Sequence, residues 1–581
     1  MKKLFFIFLL TLTYTINLTT NAEVRFVSKT GSSTPPYTSW ATAADSIQKC
    51  IDISSFGDTI FVGEGTYREF VRLNEGRSLI GTGYDNCIID GRTLGINSDT
   101  TNLIEIKDSC LISGFKIIVS NFFVSFYRGH AIWAHTDSTE GNYTSTIKNN
   151  FITQAYYGIR TNLIDAIITE NIITECEVGI IFSLTFYSSD HYVSENIIRA
   201  TGTSVKSGPG NKANIYNNVI YLESTTAKAS VSNWELNFYN NLIISKGNSS
   251  RGVANSTFTT NIINNTFIGY TVIPILAHDN NVIKNNIIFN SGIGIDNDAL
   301  NTTIKYNCLW DLIVISRPYP LDTTNIIADP MFADTSNEDY HLQMFSPCID
   351  VGDPTIFDKD GSRSDIGVYG GPNGESYTYQ NLDPRPPRNI HGEIIEENKV
   401  KIDWKPNSEA DLFGYKIYRD SIANFSISPL TLISAISDTV FIEEYKAETN
   451  LYYKVTAIDS TENESEPGEE VTILLTGINE IEIKEKDFQL YQNYPNPFNP
   501  TTNISFHLDE PGFVKLIIYD AKGEKINQLI SKEMGKGYFE VEYPAENNNN
   551  NLAAGVYVYS ITITGKDKKI RHAAKKMMLL K

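Results

Sequence analysis

The chain has little from which a metal centre or a redox site could be built. Its 581 residues include only six cysteines and eight histidines. Cys50, Cys87, Cys110, Cys176, Cys308 and Cys348 all precede residue 350, and none stands in a CxxC or Cys/His spacing of the kind that ligates zinc. Buried thiols, or one or two disulfides whose pairing spacing alone cannot give, are the expectation. Positive charge is also scarce. With 48 Lys and Arg against 68 Asp and Glu, the net charge is −20, which argues against nucleic acid or an anionic membrane as partner. After the N-terminal stretch no apolar run is long enough to span a bilayer, so no transmembrane segment is expected. Between the asparagine repeats described next, no ten residues keep helical periodicity, which excludes alternating strand–helix units.

What is present instead is a phrase that returns eight times between Ile147 and Leu309: apolar residues, an Asn, then an apolar pair. It reads Ile147-Lys-Asn-Asn150-Phe-Ile at its first occurrence and Ile304-Lys-Tyr-Asn307-Cys-Leu at its last. The closing Asn of each phrase is Asn150, Asn171, Asn196, Asn218, Asn241, Asn265, Asn286 and Asn307, at intervals of 21, 25, 22, 23, 24, 21 and 21 residues. A period in that range marks a solenoid. Each phrase reads as strand, tight corner, strand, and the corner is placed at the Asn, which tolerates a left-handed backbone better than other residues with a side chain. Stacked coils would set Asn above Asn, with amides bonded up the stack. Gly158, Gly179 and Gly294 follow eight residues after their Asn and open a further apolar strand. The fold expected is an all-β, right-handed parallel β-helix.

Before the repeat, Met1-Lys-Lys3, a short apolar run and Asn21-Ala22 have the pattern of a secretory signal peptide over residues 1–22. Ser39 is placed as the N-cap of a short helix reaching Ile51, which could cover the open end of the solenoid. The succession Asp58–Glu69, with Gly65-Thr-Tyr67, then Ser78-Leu-Ile80-Gly and Cys87-Ile-Ile-Asp90-Gly91, resembles the opening coils of the pectin-lyase-like β-helix superfamily. Leu111-Ile-Ser-Gly114 continues it, with Gly114 where later coils have Asn. The 36-residue gap from Gly114 to Asn150 requires an inserted loop, around 120–128 or 137–144. From Ile327-Ala-Asp329 to Gly371 the chain is similar to the closing segment of secreted bacterial β-helix proteins.

Asp383-Pro-Arg-Pro-Pro387 is a linker. Alternating strands follow, with Trp404, Tyr415 to Tyr418, and Tyr453-Lys-Val-Thr-Ala457, and this stretch resembles a fibronectin type III domain. The last ninety residues run from Tyr494-Pro-Asn-Pro497-Phe-Asn-Pro500 through Gly555-Val-Tyr557-Val-Tyr559 to Lys576-Met-Met-Leu-Leu-Lys581. As residues they form a small sandwich with a proline-stiffened entry. As a pattern they resemble the type A sorting domain of the type IX secretion system, which implies that machinery as a partner, passage through the outer membrane, and display or release outside the cell. The domain reading is therefore signal peptide 1–22, β-helix with its caps 23–382, fibronectin-like domain 383–477 and sorting domain 488–581. The fold class is β-helix followed by two small antiparallel β-sandwiches.

Resemblance to the superfamily points the search for chemistry at the outward face of one sheet. If Ile132, Ile159, Ile180, Val205 and Ile295 face inward, alternation turns Trp133, His135, Arg160, Ile181, Lys206 and Asp296 outward. Arg160 and Lys206 would then lie roughly 10 Å apart, two rungs along the stack. That spacing suits a polyanion, with Arg160 binding a carboxylate and Lys206 taking the proton beside it. Trp133, His135 and Asp296 are the candidate substrate-binding residues, and His130 is read as structural. The superfamily's polygalacturonase motifs are missing, which disfavours a carboxylate-pair hydrolase. Asp358, Asp360 and Asp365 surround the turn at Gly361 and are the candidate calcium ligands, although the spacing departs from an EF-hand. No cofactor other than calcium is suggested. Two functional readings follow: binding or processing of extracellular acidic polysaccharide, as a lyase-like or other carbohydrate-active protein, or a non-catalytic surface or adhesion protein with the β-helix as a rigid scaffold. A monomer located at the cell surface or in the medium is expected in either case.

Overall fold

The structure is a computed structural model that describes residues 22–96, 101–120, 129–136, 143–183, 189–224, 226–232, 234–246, 251–255, 259–269, 273–396, 398–445, 449–474, 488–520, 523–544, 546–547, 550–565 and 570–580. All but the last residue of the stretch expected to be a signal peptide, and nearly all of both stretches proposed for the inserted loop, lie outside these. The chain divides into two compact units, Met1–Leu474 and Leu475–Lys581.

In the first unit the chain winds into a parallel β-solenoid of about ten turns. One sheet has twelve strands, beginning with Val24–Val27 and ending with Thr303–Lys305, and a seventeen-stranded sheet supplies the remaining walls. Apolar β-branched residues dominate the enclosed face because they fill a half-buried pleated surface well. Ile112, Ile147, Ile168, Val193, Ile215, Phe238, Ile262, Ile283 and Ile304 stack in register up one wall, all of them buried.

The corner differs from expectation by one residue. The left-handed position belongs to the residue before the repeated Asn: Asn149, Glu170, Glu195, Asn217, Asn240, Asn264, Asn285 and Tyr306, with φ between 48° and 57°. Gly114, at φ 83°, takes that place in the preceding coil. The repeated Asn itself turns its amide into the stack. From Asn171 onward each Oδ1 accepts from both the backbone N–H and the Nδ2 of the Asn one coil earlier, for Asn218 receiving from Asn196 at 3.0 and 2.9 Å, while that of Asn150 accepts from the Phe115 N–H. Each Nδ2 also donates to a carbonyl in its own coil and one in the coil before, as Asn218 does to Tyr216 and Val193. Asn325 extends the ladder by a ninth rung, accepting from Asn307 at 3.0 and 2.9 Å. These amides are almost wholly buried and fully bonded, which is the condition under which a buried polar group costs little.

The N-terminal helix is also shorter than expected. It spans Ile47–Asp52, and its N-cap is Ser46 rather than Ser39. Residues before it are held otherwise, since Ala44 bridges to Val27. The Glu69 carboxylate accepts from the Ile47 and Gln48 N–H groups and from the Ser46 hydroxyl, so a side chain from the connection between strands Gly65–Tyr67 and Val71–Leu73 completes the cap. Ile47, Cys50 and Ile51 enter the core and close this end of the stack.

Residues 319–381 fold back along the flank. Phe332, Tyr340, Leu342, Cys348 and Ile366 pack on Tyr221, Leu242, Ile244, Ile268, Ile287 and Cys308. Left-handed corner residues tie this segment down. Asn240 Nδ2 donates to the Val368 carbonyl, Asn264 Nδ2 to that of Asp365, and Asn285 Oδ1 accepts from the Asp353 N–H. The corners at Glu170 and Glu195 lie outside that cover. All six cysteines are buried and unbonded, so the alternative of buried thiols holds and that of disulfides does not. Burial pushes the thiols of Cys50, Cys87 and Cys176 up to about 12.

After the linker come a three-stranded and a four-stranded antiparallel sheet. The first comprises Arg388–Glu396, Lys399–Lys405 and Val440–Glu444; the second comprises Leu412–Asp420, Leu432–Ile436, Leu451–Asp459 and Val471–Ile473. Trp404 meets Tyr415 edge-on at 5.1 Å, and Tyr453, Val455 and Ala457 are fully buried. Arg385 joins this part to the solenoid, donating to Asp329 and, at 2.9 Å, to Glu409. In the second unit, strands Phe488–Leu490, Thr501–Leu508 and Gly537–Pro544 form one sheet, and Gly512–Tyr519, Lys525–Met534, Gly555–Gly565 and Ile570–Leu579 the other. Its Pro-rich entry grips the last two strands: Phe498 N–H donates to the Met578 carbonyl and Asn496 Oδ1 accepts from the Met578 N–H on the final one, and Tyr559 Oη on the one before donates to the Tyr491 carbonyl.

Candidate functional site

Pairing within the seventeen-stranded sheet fixes which residues share a face. Ile104, Ile132, Ile159, Ile180, Val205, Ser230, Val253, Ile275 and Ile295 lie in one register line, and all are buried. One residue further along each strand, Glu105, Trp133, Arg160, Ile181, Lys206, Val231, Ala254, Leu276, Asp296 and Arg317 form the neighbouring line. Arg160 and Lys206 are two rungs apart, with Ile181 between them.

The line divides into parts with different surroundings. At its start, Trp133 stacks on His135 with ring centroids 3.7 Å apart and planes at 14°. His135 Nε2 lies 2.7 Å from Glu105 Oε1, whose other oxygen meets Arg72 Nε at 3.0 Å. Lys107 Nζ lies 3.5 Å from His135 Nδ1. His135 is thus 5% exposed, buried by its own neighbours rather than presented to solvent as alternation alone implied. Trp133 stays half-buried, and its indole N–H has no partner among the described residues.

Arg160 is held on two sides. Its Nε donates to Ser183 Oγ at 2.9 Å, and Nη1 lies 3.5 Å from His130 Nε2. His130 Nδ1 lies 2.6 Å from Asn102 Oδ1. Burial, reinforced by the Arg160 charge, pushes His130 down to about 4, so the ring is neutral. A neutral ring that donates from Nδ1 to Asn102 and accepts at Nε2 from Arg160 satisfies both contacts. Its place is to orient Arg160, which agrees with the structural role expected for it.

Lys206 is exposed, and among the described residues it has no polar partner. Two further cations flank it that sequence reasoning missed. Lys228 and Arg251 are direct neighbours on adjacent strands, in a register line three residues before that of Lys206. Neither forms an ion pair with a described residue, and like charges set opposite each other on adjacent strands are unfavourable unless an anion lies between them. In their coils the position equivalent to Gly158 and Gly179 is taken by Ala229 and Gly252, eleven residues after the Asn instead of eight, so alignment by that spacing passed over them.

Asp296 is not part of this group. It lies seven rungs from Trp133, roughly 34 Å at the usual strand spacing, and its carboxylate pairs with Arg317 at 3.1 Å. The three candidate calcium ligands are likewise taken up by the turn. Asp358 accepts from the N–H groups of Gly371 and Asp365, Asp360 from the N–H and hydroxyl of Ser362, and Asp365 from the Asp350 N–H and the Tyr379 hydroxyl. Among the described residues the one set of three ligand atoms that converges is His391, Glu393 and Asp403. There Lys401 Nζ already bridges Glu393 and Asp403 at 3.2 and 2.6 Å.

With this geometry in view, the comparisons place the chain as follows. Residues 492–576 match the secretion system C-terminal sorting domain, so the C-terminal unit is a type IX sorting domain and the protein is routed to the cell surface or the extracellular space. No helix among the described residues is long and apolar enough to cross a membrane. No curated protein matches the chain. Among solved structures it is similar to the PL6-family alginate lyase AlyGC, at 13% identity over 58% of this chain and 59% of that one, with a TM-score of 0.32. It is similar to pectin methylesterase PemA from Erwinia chrysanthemi, at 10% identity over 53% and 94%, with a TM-score of 0.25. It is also similar to dimeric latent PorU from Porphyromonas gingivalis, at 13% identity over 37% of this chain but only 22% of that one, with a TM-score of 0.18. Similarities this remote do not extend to chemistry.

Proposed function

We propose that the exported protein binds acidic polysaccharide along the solenoid flank that carries Arg160, Lys206, Lys228 and Arg251. The observation behind this reading is that none of these four cations has an acidic partner among the described residues, in a chain whose net charge is −20. Neighbouring cations repel each other, and a ligand that carries the complementary charge relieves that repulsion. A repeating polyanion suits the arrangement because its carboxylates recur along a chain, as the rungs do along the stack. Arg160, oriented by His130 and Ser183, keeps Nη2 for a carboxylate, and a guanidinium recognises that group with directional bonds. Trp133 offers a half-buried aromatic edge at the same end of the flank. Within this reading Lys206 is the base that would remove the proton next to a bound carboxylate if the polymer is cleaved by elimination, and the fibronectin-like stretch is a spacer between the flank and the sorting domain.

The test is binding of the full chain to a panel of acidic polysaccharides, with a neutral glucan as control and ultraviolet absorbance to detect unsaturated products. Acid-specific binding that weakens about tenfold or more in Lys228→Ala/Arg251→Ala is expected, from the loss of charge-assisted contacts. Lack of binding and of product across the panel would sink the proposal and leave the rigid, non-catalytic scaffold. If product forms, full activity in Lys206→Ala would reject its assignment as the base.

A further inference from the structure

We infer that the last coil of the solenoid is a self-association surface, through which two copies of this chain pair edge to edge. The two ends of the stack are finished differently. At the N-terminal end the helix Ile47–Asp52 seals the core. At the other end the last strand of the seventeen-stranded sheet, Cys308–Pro318, pairs with Ile287–Asn297 on one side and, among the described residues, with no strand on the other. The next turn of chain returns only as far as a bridge between Ile326 and Cys308, leaving residues 312–317 uncovered.

An open edge is normally blunted by charges, proline or a bulge, because its unpaired N–H and C=O groups template further strands. Leu312-Ile-Val-Ile-Ser316 has none of these in its interior. Ile313 is 85% exposed, Val314 38% and Ile315 37%, and none of the three belongs to the core. The charges that are present sit at the two ends: Asp311 before the segment and, after it, Arg317, which meets Asp296 of its own chain through one nitrogen and remains half exposed.

That placement identifies the occupant. Two copies of the segment running antiparallel about a two-fold axis at Val314 would set Val314 opposite Val314, Ile313 opposite Ile315, and Asp311 opposite Arg317. Apolar residues meet apolar residues, and at each end of the ladder opposite charges meet, the cross-strand pairing that stabilises an antiparallel pair. A parallel arrangement in the same register would instead oppose Asp311 to Asp311 and Arg317 to Arg317. The isologous geometry is closed and ends at two copies, since each copy's segment is taken up by the other's. This inference does not rest on the polysaccharide reading, and it departs from the monomer that the sequence suggested.

The central position offers a direct test by sedimentation equilibrium of the full chain. Wild type is expected to dimerise reversibly with concentration. Val314→Lys and Val314→Glu each place like charges face to face at the axis, and each should weaken dimerisation by about 100-fold or more. Mixed in equal amounts, the two variants should recover a dimer, because only the mixed pair sets opposite charges at the axis. Unchanged circular dichroism and melting would show that the exposed substitution leaves the fold intact. A wild type that stays monomeric, variants that dimerise as well as wild type, or a mixture that fails to pair would each overturn the inference.

Discussion

Asn217 and Asn218 are adjacent in sequence and opposite in role. Asn217 has φ 55° and is needed for its backbone; Asn218 is 1% exposed and is needed for its amide. Replacing Asn218 by Ala would strip the acceptor from two Asn196 donors and leave the carbonyls of Val193 and Tyr216 and the Oδ1 of Asn241 each short of a donor. With buried groups left unsatisfied at about 1–3 kcal/mol each, and partial relaxation, a loss of about 3–5 kcal/mol is expected. Asn217→Gly should stay within about 0.5 kcal/mol, because glycine adopts the left-handed region freely, whereas Asn217→Val should cost about 1–2 kcal/mol. Denaturation midpoints of the three variants check this, and equal losses at the two positions would contradict the division of roles. Asp365 makes a second prediction at this scale. Burial pushes its carboxyl up to about 6 against an ordinary 3.8, while the bonds from Asp350 and Tyr379 pull the other way. A raised value means the folded chain holds this proton more tightly than the unfolded one. The stability this group contributes is therefore present at low pH and falls as pH rises from about 4 to about 6. Carbon-13 titration of the carboxyl should show a midpoint near 6, moved higher in Tyr379→Phe, which removes a donor to the ionised form.

Among the elements, the joint at Arg385 is the one whose failure would show most clearly. The guanidinium is half exposed, but the two carboxylates it reaches, Asp329 and Glu409, are nearly buried. Burial alone would raise Glu409, yet the Arg385 bond and charge hold it below the usual carboxylate range. The contribution is thus present above the ordinary carboxylate pKa and lost as pH falls through the depressed value. Arg385→Ala would leave two buried carboxylates facing each other without the cation, at a cost of about 2–4 kcal/mol after allowing for the solvent around the guanidinium. Faster limited proteolysis within 382–387 is expected, and an unchanged cleavage rate would show that the joint does not depend on this residue. Legibility in the sequence follows the same physics. The coils could be read because a buried amide that stacks on its copies admits one residue type, so Asn218 and its counterparts never vary. The left-handed place could not, because a backbone requirement admits Asn, Glu, Tyr or Gly, and five of the eight phrases carry Asn at both positions. The outward line through Trp133, Arg160 and Lys206 was legible from alternation with its buried neighbours. The burial of His135 and the pairing of Asp296 with Arg317 were not, since both depend on side chains brought in from other coils. Lys228 and Arg251 were missed for a related reason, as only strand register sets them side by side.

At the scale of the whole molecule, the signal for where the protein is sent lies in a compact unit of its own. The sorting unit has its own core, with Phe498, Phe506, Tyr559, Ile561 and Met577 enclosed, and its Pro-rich entry is bonded to the final strand instead of trailing as a linker. That arrangement makes the unit a folded one, in which Tyr494–Pro500 and residues 575–579 belong together. A change that unfolds the unit should therefore act like its removal. Deletion of Leu490–Lys581 is expected to abolish display and release, leaving the protein inside the outer membrane, while the solenoid keeps its β-sheet circular dichroism because its core lies wholly in the other unit. Tyr559→Ala should give a graded version of the same defect, since it empties a fully buried aromatic site and removes the bonds to Tyr491 and Asn493 that hold the entry in place. Loss of a buried aromatic costs about 3–5 kcal/mol, enough to unfold a small sandwich in a large fraction of molecules. Surface protease accessibility of intact cells, compared with total protein, measures both variants. Display at the wild-type level after the deletion would show that export does not use this domain.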